Sequence, residues 1–78
     1  MKLWLISQDE NTDYDTYDSA VVAAETLEAA RLITPDGEKW AARWSGWCSA
    51  PGLVEVRLIG EAIEGTSEGV VIASFNAG

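Results

Sequence analysis

Four bulky apolar side chains in a row, Leu3-Trp4-Leu5-Ile6, stand between Lys2 and Ser7. Successive side chains of a strand point to opposite faces, so a strand over residues 2–7 is apolar on both. Such a strand calls for a covered position inside a sheet. The run is too short for a membrane span or a signal peptide, and Ser7-Gln8-Asp9-Glu10 follows it at once.

The remaining elements are read against that strand. Residues 8–15 are rich in Asp, Glu and Asn, which favour turns over strands. Residues 17–25, centred on Val21-Val22, read as a second strand that pairs with the first through a long acidic connection. Thr26 is placed to cap a two-turn helix over 27–33, with Glu28 in its first turn, where a carboxylate opposes the positive helix end. Pro35 disfavours helix at Thr34, and Thr34-Pro35-Asp36-Gly37 fits a type I turn. Residues 53–60 read as a third strand, with Val54, Val56 and Leu58 on one side and Glu55 and Arg57 on the other. Gly60, Gly65 and Gly69 mark a turn region over 61–68, and residues 70–75 read as the last strand.

Residues 38–48 fit two descriptions. Trp40, Trp44 and Trp47 recur at i, i+4, i+7, the spacing of one helix face. Gly46 and the approaching Pro51-Gly52 argue for a short helix or an irregular loop instead. The order is β-β-α-(α or loop)-β-β. It predicts an α+β fold: a four-stranded, largely antiparallel sheet with one short helix on one face and a Trp-rich short helix or loop. A right-handed crossover between the second and third strands is open.

Seventy-eight residues make a single domain, 1–78. Its core is thin, and the four Trp supply the bulk to fill it. The one cysteine, Cys48, forms no internal disulfide, which suits a reducing cytoplasm. It reads as a small buried hydrophobe. The chain has no histidine, which removes the commonest general base, the commonest transition-metal ligand and every Ser-His or Cys-His arrangement. A phosphate-binding glycine loop is missing too. The expectation is a non-enzymatic protein without cofactor or metal.

A formal charge of −8 repels DNA, RNA and anionic membranes and favours a basic partner, although charge also serves plain solubility. The densest signal is the run from Asp9 to Asp18, which holds five carboxylates, two tyrosines and no cation. Asp9, Asn11, Asp13 and Asp15 align with the first ligands of a calcium loop. Tyr14 and Ala20 then occupy the positions that need Gly and Glu. A solvated hairpin loop needs no purpose. A partner-binding surface is the third reading: Asp9, Glu10, Asp13, Asp15 and Asp18 supply charge, and Tyr14 and Tyr17 supply interface-type aromatic contacts. In an extended chain the Asp13 and Asp15 side chains stand roughly 6–7 Å apart, a scale comparable to phosphate spacing. The Trp trio reads first as core and second as a patch for self-association. Glu61, Glu64 and Glu68 form a weaker acidic turn.

Several stretches carry a resemblance: residues 1–8, 14–25, Ala29-Ala30-Arg31, and the closing Gly69-Val70-Val71-Ile72-Ala73-Ser74-Phe75-Asn76-Ala77-Gly78. They resemble small acidic phage and prophage proteins, over roughly residues 1–33 and 53–78. No functional residues come with that likeness. A looser one, of fold, size and acidity, is to small phage anti-CRISPR proteins. It implies a phage-encoded inhibitor whose acidic surface occupies the basic surface of a host protein or ribonucleoprotein complex. Direct nucleic-acid binding and membrane attachment are not expected. The alternative is a structural or accessory phage protein that forms a homodimer through the Trp-rich segment.

Overall fold

The computed structural model describes residues 1–10, 16–35, 47–48 and 50–76. Strand β1 (Lys2–Ser7) and strand β2 (Thr16–Ala24) form an antiparallel hairpin in which Trp4 faces Val22 and Ile6 faces Ala20. Helix α1 (Leu27–Arg31) follows, then a 3-10 turn (Pro51–Leu53), strand β3 (Glu55–Glu61) and strand β4 (Gly69–Asn76). The sheet order is β3-β1-β2-β4, every pairing antiparallel, so the fold is α+β. β1 is internal, as its two apolar faces require.

The order has a topological consequence. β2 and β3 both run against β1, so they are parallel to each other with β1 between them. Parallel neighbours of that kind need a crossover, and α1 lies within it. The connection 62–68 then crosses to the far edge, held where the Ala62 N–H donates to the Met1 carbonyl (2.9 Å).

One face of the sheet holds the core: Trp4, Ile6, Ala20, Val22, Ala24 and Val54, with Ala30 of α1 and with Trp47 and Cys48. Small residues at Ala20, Ala24 and Ala30 bring the helix close to the strands. Trp47, Ile6 and Val22 are fully buried, and each such side chain contributes about 1.5–3 kcal/mol relative to exposure. The two expectations for Trp47 and Cys48, core packing, both hold. Trp40 and Trp44 lie outside the described residues, as do Asp36 and Gly37 of the expected turn.

Element boundaries differ from those expected from the sequence. The helix is five residues long and closes at Leu32, because the Leu32 and Ile33 N–H groups already bond three residues back, to Ala29 and Ala30. Thr26 does cap it, with Oγ1 accepting from the Ala29 N–H at 3.1 Å. The third strand begins at Glu55, since Pro51–Leu53 turn first and Leu53 is exposed. Leu58 shares a face with Val54 and Val56, as expected, and is 53 % exposed at the middle of edge strand β3. On the second face, Leu3, Leu5 and Val21 are half-buried, and α1, the helix among the described residues, packs on the other side. Among the described residues no helix is long and apolar enough to cross a membrane.

Candidate functional site

Asp9 and Asp18 stand on opposite limbs of the β1–β2 hairpin. Ser7 pairs with Ser19, and the ladder runs one step further where the Gln8 N–H donates to the Asp18 carbonyl at 3.1 Å. Gln8 is buried, and its side-chain Nε2 donates to the Tyr17 carbonyl at 2.8 Å. One residue thus ties two consecutive carbonyls of β2 and fixes the backbone that carries Asp18. Asp18 lies at a bulge of β2 against β4, between the pairs Tyr17–Phe75 and Ser19–Ser74. A bulge re-aims a side chain, and Asp18 is exposed.

The third carboxylate comes from far along the chain. Ser7 also pairs with Glu55, at the start of β3. Adjacent strands are about 4.8 Å apart, so Glu55, Ser7 and Ser19 form a row roughly 10 Å wide across the end of the sheet. A groove of about 340 Å³ lies there, lined by Asp9, Asp18 and Glu55 together with Ser7, Ser19 and Leu53. Asp9, Asp18 and Glu55 are exposed, and none is in an ion pair with another described residue. Glu10 is exposed and close enough to Cys48 for its charge to help hold the thiol in its neutral form. Arg57 lies two residues beyond Glu55, in a neighbouring groove with Arg31.

Two residues of this end were not singled out in the sequence. Glu55 was assigned the outward side of its strand, but its separation from Asp18 hid the shared groove. Gln8 falls in the polar segment 8–15, where Asn11 is a second amide among the carboxylates, so nothing in the sequence marks it out. Tyr17 packs against the core and sets its ring edge-on to Phe75, with centroids 4.8 Å apart. Tyr17 does not line the acidic groove. Asp13, Tyr14 and Asp15 lie outside the described residues, as do Asn11 and hence most of the calcium-loop alignment. Trp47, part of the expected self-association patch, is 1 % exposed and serves the core. The second acidic turn is at the opposite end of the sheet, since Glu61 pairs with Lys2 and not with Ser7.

The exposed carboxylates can accept charge-assisted hydrogen bonds from Lys or Arg, the strong type of surface contact. Among the described residues no group of three or more His, Cys, Asp or Glu is arranged to hold a metal ion. Compared with known protein families, curated proteins and solved structures, the chain matches none.

Proposed function

We propose that this protein acts by contact alone: it is a phage-encoded, non-enzymatic inhibitor of a host nucleic-acid-handling defence complex, of the anti-CRISPR kind. Its acidic sheet end occupies a basic site that otherwise holds phosphates. The observation that carries the reading is the groove, where Asp9, Asp18 and Glu55 converge without an ion pair to another described residue. A basic channel built for phosphates offers the Lys and Arg that such carboxylates attract, and complementary charge raises both the encounter rate and the specificity. The chain's charge of −8 supports a protein or ribonucleoprotein partner over bare nucleic acid or an anionic membrane. The phage-like ends of the sequence support the origin. The site of action is then the host cytoplasm.

The test is a nuclease assay with purified CRISPR effector complexes. Wild-type protein is expected to inhibit one of them, with inhibition fading as salt shortens the screening length from about 10 Å at 0.1 M to about 3 Å at 1 M. The triple variant Asp9→Lys, Asp18→Lys, Glu55→Lys, shown folded by circular dichroism, is expected to lose the effect. Undiminished inhibition by that variant removes the groove from the mechanism. Failure of the wild type against every complex removes the defence target.

A further inference from the structure

The two edges of the sheet are unlike. Edge strand β3 carries Glu55, Arg57 and Glu61. If two copies paired antiparallel along it about Leu58, Glu55 of one would face Glu61 of the other, and like charges directly opposite are destabilising. Charges are a usual device that keeps an edge from pairing.

Edge strand β4 has no charged residue and no proline in eight residues, GVVIASFN. Its outer backbone groups have no strand partner among the described residues. Val70, Val71, Ile72 and Phe75 are 42 %, 55 %, 66 % and 47 % exposed. β4 has a bulge against β2 at Val71, between the pairs Val22–Val70 and Val21–Ile72, but no charge guards it, and an uncharged apolar edge invites another strand.

We propose that β4 is a self-association edge: two copies pair their β4 strands antiparallel about a two-fold axis and form one continuous eight-stranded sheet. A second copy fits better than a charged partner for a reason of charge. The strand is neutral in a chain of net charge −8, so it offers nothing to steer a basic ligand, whereas a second β4 matches it in neutrality and apolarity. The two-fold arrangement places the same strand on both sides, closes the assembly and leaves the guarded β3 edges outermost. Pairing β4 with the β3 edge of another copy would instead propagate into a filament. The acidic groove at the β1–β2–β3 end remains open in the dimer, so this inference stands independently of the proposed inhibitory contact.

The two also respond oppositely to salt. Dimerisation brings like net charges together, so screening strengthens it; binding to a basic surface weakens. The experiment is sedimentation velocity of the full chain over a concentration series at low and at high salt. A monomer–dimer equilibrium that shifts toward dimer with salt is expected. A strict monomer at every concentration, or open-ended polymers, overturns the proposal. Val71→Lys with Ile72→Lys is expected to weaken the dimer by about tenfold or more, while Leu58→Lys on the opposite edge leaves it intact. A folded Val71→Lys/Ile72→Lys protein that dimerises as before overturns it. Should that variant not fold, amide exchange of the wild type decides. Protection of residues 70–75 must rise with protein concentration; concentration-independent protection there counts against the edge.

Discussion

The Trp4 indole Nε1 donates a hydrogen bond of 2.9 Å to the carbonyl of Ala24, twenty residues along the chain. Trp4 sits on β1 opposite Val22, and Ala24 is the last residue of β2, on the same face. At that point the chain leaves the sheet for α1, and a strand's last carbonyl must find a donor outside the ladder. The Trp4 ring thus does two things at once: it fills the thin core and pins the exit of the second strand. Both ends of the bond are buried, where an unmet polar group is costly.

Trp4→Phe keeps an aromatic ring but removes the N–H, leaving the Ala24 carbonyl without that donor. The expected loss is about 1–3 kcal/mol, and Trp4→Ala, which also opens a cavity, should cost about 3–5 kcal/mol. Urea denaturation monitored by far-ultraviolet circular dichroism measures both. A Trp4→Phe protein as stable as the wild type would mean that water or relaxation satisfies the carbonyl.

The same residue shows how much of the fold is legible from the chain. Leu3-Trp4-Leu5-Ile6 reads as an internal strand because polar residues appear on neither face, and β1 is indeed flanked by β2 and β3. Thr26 starts the helix through local chemistry, a side-chain cap that acts over a few residues and is visible in sequence, whereas the helix closes at Leu32, before the steric effect of Pro35 on Thr34. Strand order is different. It depends on which strands meet after a crossover, and nothing near Glu55 says that Ser7 will lie beside it. The acidic groove was therefore half legible: Asp9 and Asp18 belong to one hairpin, while Glu55 joins them only through the β1–β3 pairing. Leu58 lies on the expected face, opposite Trp4, and is exposed there. Alternation gives the face of a strand correctly but not how much of that face is covered.

Arg31 carries the next prediction. It closes the last turn of α1, and its guanidinium donates to the carbonyls of Val54 (2.9 Å) and Pro51 (3.3 Å), which bracket the 3-10 turn before β3. This one side chain holds the helix to the entry of the edge strand that supplies Glu55. Arg31→Met keeps the apolar stem and loses both bonds. Because the bonds are only partly buried, the expected cost is about 1 kcal/mol, a fall of about 4–8 °C in Tm for a domain of this size. Arg31→Lys should recover only part of it: both bonds come from one nitrogen, Nη1, and an ammonium also has several N–H donors but on a shorter side chain. Thermal melts of the three proteins decide. Full recovery by Lys would reduce the role of Arg31 to its charge.

The last prediction concerns Cys48, which is buried in the core cluster. Burial pushes its thiol pKa up, and the nearby negative charge of Glu10 pushes the same way; backbone hydrogen bonding at Ala50 and Cys48 opposes the rise without cancelling it. The thiolate is the reactive form, so at pH 8 an aromatic disulfide reagent should label the native protein far more slowly than the urea-unfolded chain. The linkage has a definite sign. A folded-state pKa above the unfolded value, about 8.5, means that this contribution to stability is fully present below that pH. It is lost as pH rises toward and through the folded value, because the unfolded chain releases its proton first. Melts from pH 7 to 10 should therefore fall more steeply for the wild type than for Cys48→Ala, which has lower stability but no thiol to titrate. Parallel curves, or native labelling as fast as unfolded, would place the sulfur in contact with solvent and contradict the packing of Cys48 beside Trp47 beneath the sheet.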